Sequence, residues 1–155
     1  MDDAIIMLTS FDLMVAVEST IGELYAIFAE QFPADAAVWH ELAEDEVQHA
    51  RWLRELQKAV EDNLLDFDPT VYHLDLLRHT LGYVRTLKQE ALAKKVSHRQ
   101  AIHEARTLEK MLVEKYFFEV VVDHNQLLQH VFAALTDATV HHTERLNRLH
   151  ASWFA

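Results

Sequence analysis

Glu18 and Tyr25 stand seven residues apart and are followed by Glu46 and His49, three apart. About 90 residues later, Glu109 and Tyr116 stand seven apart and are followed by Thr139 and His142, three apart. Carboxylates and imidazoles are the ligand types that hold divalent cations through oxygen and nitrogen, and here they recur at helical spacing. The repeat reads as a duplicated pair of helices with acids and histidines where a helical core would have leucines.

The elements that must position these residues follow from the punctuation of the chain. Thr9 or Ser10 offers a cap for a first helix, which carries the apolar stripe Phe11, Met14, Val15, Ile21, Tyr25 and Phe28 as far as the break at Phe32 and Pro33. Asp35 starts a second helix that runs to about Asn63. Asp68 and Pro69 then supply a cap and a first-turn proline for a third helix over 69–95. Ser97 with Gln100 forms a capping box for a fourth helix, ending near Asp123, His124 and Asn125, and the fifth runs from there almost to the C-terminus.

The apolar register puts the polar candidates inside. In the second helix Trp39, Leu42, Glu46, His49, Leu53, Leu56 and Val60 follow alternating steps of three and four, the seam of a helix packed in a bundle. Phe132, Leu135, Thr139, His142, Leu146 and Leu149 repeat that register 93 residues later. In the first helix the seam passes through Glu18 and Tyr25, and in the fourth through Ala105, Glu109, Leu112 and Tyr116. Three acids and two histidines are expected to converge on one core.

An unpaired buried carboxylate costs several kcal/mol, and two of them about 4 Å apart repel by roughly 4 kcal/mol at an effective dielectric near 20. No Lys or Arg falls on the seam to offset this, since Arg51, Arg54, Arg106, Lys110 and Arg145 lie on flanking faces. Metal ions are the simplest compensation. Two divalent cations against Glu18, Glu46 and Glu109 come close to balance, and one hydroxide or other anion completes it.

Composition bounds the rest. A chain of 155 residues, half of them apolar and with only two Gly and two Pro, suits one all-α domain with long helices. Helices of about 25 residues are roughly 37 Å long, the dimension of a four-helix bundle. A net charge of -11 with 14 Lys and Arg argues against nucleic acid as a partner. The absence of cysteine excludes disulfides, thiolate catalysis and cysteine-held metal centres. Met1, Asp2 and Asp3 do not begin a secretory signal, and no apolar run approaches the roughly 20 residues of a membrane span, so a cytoplasmic protein with no membrane partner is expected. Ile5 to Leu8 and Trp153 with Phe154 could pack on the domain itself or on a second copy, and a homodimer is expected.

Glu18 to Tyr25 together with Leu42 to His49 (LAEDEVQH) resembles the first half of the rubrerythrin and ferritin-like superfamily, with its acid on one helix and Glu-x-x-His on the next. Ser97 to Val120 is similar to the third bundle helix of its compact rubrerythrin-like members. The resemblance covers most of the chain and implies a ferritin-like antiparallel four-helix bundle made of helix pairs over 9–63 and 98–152, joined by a crossover helix over 69–95. It further implies that Glu18, Glu46 and His49 hold one metal and Glu109 and His142 another, with Glu46 able to bridge. The metals implied are two iron ions, with manganese or zinc open to the same ligand types. Tyr25 and Tyr116 match aromatic positions beside the site, either as second-layer participants or as core residues with hydrogen-bonded hydroxyls. The implied chemistry is oxidation of Fe(II) by oxygen or peroxide, with an external electron donor.

Two departures shape the alternatives. Thr139 stands where the second Glu-x-x-His would have its acid, and there is no cysteine for the rubredoxin-type iron centre of rubrerythrin itself. A bundle with a partial or absent metal site, acting as a structural or interaction protein, is therefore the rival reading. Glu23 and Glu114, five residues beyond the proposed ligands, turn off the seam and are second-choice ligands, and the remaining histidines lack partners on a shared seam.

Overall fold

A computed structural model of the chain describes residues 3–62, 74–112 and 126–154, and every secondary-structure element among them is helical. The helices are α1 (Asp3–Gln31), α2 (Ala36–Glu61), α3 (Leu74–Leu92), α4 (His98–Leu112) and α5 (Gln126–Phe154), with a 3-10 turn over Pro33–Asp35 between α1 and α2. The chain divides into two compact units, Met1–Ala93 and Lys94–Ala155. No described helix is long and apolar enough to cross a membrane.

In the first unit α1 packs against both α2 and α3. Its sequence explains why. Met14, Ile21 and Phe28 form one buried stripe, while Val17 and Leu24 extend burial to a second, so the helix has two apolar faces to cover. It stops at Phe32, which precedes a proline and leaves the helical region at φ -123° and ψ 71°. Phe28 and Tyr25 then meet Trp39 at ring-centroid distances of 5.0 and 5.6 Å, so the start of α2 folds back on the end of α1. Burial of each such ring is worth about 1.5–3 kcal/mol. The pairs Tyr25–Trp39 and Asp12–Arg54 show α1 and α2 to be antiparallel.

Every residue of the expected α2 seam, from Trp39 to Val60, is buried. In α3 the buried set Leu77, Thr80, Val84, Leu87 and Ala91 again steps by three and four. Two polar ties fasten α3 to α1: Lys88 pairs with Glu23, and Gln31 Nε2 donates to the Ala91 carbonyl at 2.7 Å, satisfying an end-of-helix acceptor. These contacts advance together along both helices, so α3 runs parallel to α1.

The second unit consists of α4 packed on α5. The capping box forms as the sequence implies: the Ser97 amide donates to Gln100 Oε1 at 2.9 Å and the Gln100 amide to Ser97 Oγ at 3.2 Å. Arg106 Nε donates to Asn147 Oδ1 at 2.8 Å. At the end of the pair, His98 meets Trp153 at 5.0 Å and the Arg99 guanidinium lies 4.2 Å above the Phe154 ring.

Two boundaries differ from the sequence reading. The first helix begins at Asp3, so neither Thr9 nor Ser10 caps it, and Ser10 is fully buried. The reason is that Ile5, Ile6, Met7 and Leu8 contain no helix breaker and simply continue the helix toward the N-terminus. The start of α2 falls where the sequence put it, with Asp35 at the N-cap position, although its side chain makes no cap hydrogen bond. The third helix ends at Leu92, not 95, where Lys94 turns into the left-handed region at φ 56°. The Asp68–Pro69 cap and the expected end of the fourth helix lie outside the described residues.

Lys94 takes a conformation that glycine adopts without a Cβ penalty. Lys94→Gly is therefore expected to stabilise the protein by about 0.5–1 kcal/mol, the relief of the left-handed strain less the added freedom of the unfolded chain. Chemical denaturation of the two proteins reads this directly, and a loss of stability would show that the Lys94 side chain matters more than its backbone.

Candidate metal centre

In the first unit Glu18 comes from α1, and Glu46 and His49 from one turn of α2. They are 1%, 1% and 2% exposed. His49 Nδ1 lies 3.4 Å from Glu18 Oε2 and 3.4 Å from Glu46 Oε2. One ligand atom from each residue falls within 4.8 Å of the others. Two ligands bound to a common ion at about 2.1 Å stand roughly 3.0–3.4 Å apart, so the histidine-to-acid distances match the edge of a coordination shell. Among the described residues Glu18 Oε1 has no hydrogen-bond partner. A buried carboxylate oxygen without a donor is the type of atom a cation satisfies.

The helices approach closely at this point because of Gly22. A Cβ placed there would meet Glu46 Cβ at 3.3 Å and the Ala43 carbonyl oxygen at 3.4 Å. Glycine in a helix interior costs about 1 kcal/mol relative to alanine, and here it lets Glu18 and Glu46 face each other across a tight α1–α2 contact. The flanking arginines stay out as the seam implied: Arg51 and Arg54 are exposed, and Arg54 pairs with Asp12 at 2.8 Å.

Charge in the cluster is set by burial. Loss of solvent, and then the charge of Glu46, push the Glu18 carboxyl well above its usual range, favouring its protonated form. For His49 burial opposes the charged ring, but the two carboxylates outweigh it and push its pKa up to about 10. Without a metal Glu18 and His49 thus hold protons where a divalent cation would bring positive charge.

In the second unit His142 Nδ1 lies 3.4 Å from Glu109 Oε2, with both side chains 1% exposed or less. Thr139 is also buried, at 1% exposure, which places it on the inward register the repeat assigned to it. Its hydroxyl donates to the Leu135 carbonyl at 2.8 Å, so the side chain is satisfied within its own helix. Arg106, Lys110 and Arg145 are not buried.

Tyr25 is fully buried against Trp39, two helical turns or roughly 10 Å along α1 from Glu18. Tyr116 and Glu114 lie outside the described residues. Glu23 is exposed and pairs with Lys88. His40, His79, His103, His130 and His141 are exposed, and His98 and His150 are half-buried beside the aromatic rings at the end of α5. Sequence reasoning missed Gly22, although one of only two glycines in the middle of a long helix is a signal of close approach. It also missed Trp52, whose ring lies 5.5 Å from that of His49; the three-residue spacing carried that contact.

Compared with family models, curated proteins and solved structures, the chain matches none. The chemistry of the centre rests on its own residues.

The raised pKa values fix a pH dependence for the metal-free protein. His49 binds its proton more tightly when folded, so its stabilisation is complete below about pH 6.5 and is lost as pH rises through about 10. Raised in the same direction, Glu18 adds a cost that begins above its unfolded value of 4.5. Thermal midpoints measured in chelator should fall from pH 6.5 to 10, and His49→Gln should flatten that slope. A parent and variant with equal slopes would mean that His49 does not bear the charge.

Proposed function

We propose that the chain is a ferritin-like, rubrerythrin-type metal protein: a helical bundle that holds iron on Glu18, Glu46 and His49 and on Glu109 and His142, and that carries out redox chemistry of Fe(II) with oxygen or peroxide. The observation that supports it best is the buried group of two carboxylates and one imidazole, mutually within 4.8 Å and without a buried Lys or Arg among the described residues. The sharing of Glu46 between two metals, the crossover arrangement of α3 and the homodimer belong to the same proposal and rest on the resemblance.

Bound iron would supply electrons to the oxidant. The residues do the rest. Glu18, Glu46 and Glu109 neutralise the cations, and His49 and His142 add neutral nitrogen donors once their protons leave. The apolar packing of Trp39, Leu42 and Leu53 along α2 keeps bulk water from the carboxylates. Reduction of one peroxide to two waters consumes two electrons and two protons. With no cysteine in the sequence for an attached iron–sulfur or rubredoxin-type centre, an external donor returns those electrons.

Thr139 favours a second reading, in which the second half-site has lapsed and the protein binds one metal or serves as a structural or interaction protein. Anaerobic titration with Fe(II) separates the readings. One to two ions per chain should bind in a saturable step, and Glu46→Leu should abolish the tight step while leaving the metal-free protein as stable or more stable, since a buried charge is removed. No saturable step would sink the metal reading. A large loss of metal-free stability in Glu46→Leu would make the acid structural.

Restoring the missing acid tests the second half. Thr139→Glu should destabilise the metal-free protein by about 1–3 kcal/mol, because another acid enters a buried position. Added Fe(II) or Mn(II) should raise the thermal midpoint of the variant by more than it raises that of the parent. An equal gain in both proteins would remove Thr139 from the metal-facing register.

A further inference from the structure

The centre in the first unit is buried, so an incoming cation needs a way through the α1–α2 contact. A surface groove of roughly 810 Å³ runs along that contact. Six of its lining residues are Val15, Ser19 and Gly22 from α1 and Ala43, Val47 and Ala50 from α2. These positions are -3, +1 and +4 from Glu18 and, identically, -3, +1 and +4 from Glu46. The groove therefore lies over both acids, and four of these six residues, Ser19, Gly22, Ala43 and Ala50, have small side chains. At Gly22 only the missing side chain separates the floor from Glu46, since an added Cβ would lie 3.3 Å from Glu46 Cβ. On the α1 side the buried acid is Glu18, whose Oε1 has no hydrogen-bond partner among the described residues.

We propose that this groove is the port through which a divalent transition-metal cation reaches Glu18, Glu46 and His49, an inference that rests on the metal-binding reading above. Size permits it: a cation with six waters occupies about 180 Å³ at roughly 30 Å³ per water, well within the groove. Its charged lining is Glu23, Glu44 and Glu55 against Arg51 and Arg54, with Glu23 paired to Lys88 and Arg54 to Asp12, so acids outnumber bases by one and Glu44 and Glu55 are the carboxylates placed to draw a cation. Passing the floor requires only a small separation of α1 and α2, because Ser19, Gly22, Ala43 and Ala50 have little side chain to displace.

The equivalent groove of the second unit contrasts with it. There the -3 and +1 positions around Glu109 are Arg106 and Lys110, both lining the groove with Val140 and Thr143 of α5. That groove carries two bases against one acid, Glu144, where the first carries three acids against two bases, so the two helix pairs differ in the charge of their grooves as well as in their polar core residues. Val47 and Val140 are the counterpart exposed residues of the two grooves, at 46% and 41%. They offer a matched plug and control.

The test is stopped-flow mixing of the full chain with Co(II), read by tryptophan fluorescence, since the Trp52 ring lies 5.5 Å from that of His49. Val47→Phe should slow both association and dissociation by about tenfold and leave Kd unchanged, the signature of a narrowed passage. Ser19→Leu, which plugs the groove from the other helix, should do the same, and Val140→Phe should alter neither rate. Unchanged rates in both plug variants would overturn the port, as would a weakened Kd without matched slowing. Absence of any saturable Co(II) binding by the parent would instead overturn the metal reading, and the two failures are distinguishable in the same data.

Discussion

Carboxylates held side by side among leucines and aromatic rings must acquire positive charge or protons, and that requirement governs the first unit. Glu18 and Glu46 face each other with His49 3.4 Å from each, while the arginines of α2 stay outside. Protons meet the requirement in the isolated chain by holding Glu18 toward its neutral form and His49 toward its charged one. A divalent ion meets it with higher charge in less space. Apolar packing alone would be served better by leucine at each position, so the acids are retained at a cost that folding does not explain.

The surrounding structure accommodates this demand through helix spacing. Gly22 lets α1 and α2 come close enough for their acids to share one histidine, and the Tyr25–Trp39–Phe28 cluster fixes the turn that sets their register. Contact with α3 covers the other face of α1, so the helix that carries Glu18 is held from two sides. A ligand on a helix packed on both faces has little freedom to move, which favours one coordination geometry over several.

Much of this was legible in the sequence because a three-and-four seam specifies which side chains face inward whether they are apolar or not. Glu46, His49, Thr139 and His142 are buried where the seam put them. Less legible were effects that depend on a neighbouring helix. The close approach at Gly22, the Trp52–His49 contact and the grooves require two helices in register, and a single helical pattern carries only one. Helix ends were least legible: Ser10 has the chemistry of a cap, yet the apolar residues before it extend the helix past it, and Lys94 ends α3 with a residue that has no strong preference for the left-handed region.

The ring contacts at the end of α5 have a consequence for how such a chain can change over generations. His98 with Trp153, and Arg99 with Phe154, clasp the start of α4 to the end of α5 by contacts that do not involve Glu109, Thr139 or His142. The second helix pair is thus anchored independently of those three side chains. A substitution at Glu109, Thr139 or His142 would leave those end contacts in place, which gives this helix pair latitude to change at its polar core positions. Thr139, inward-facing and content with its own helix, is the kind of residue such latitude admits.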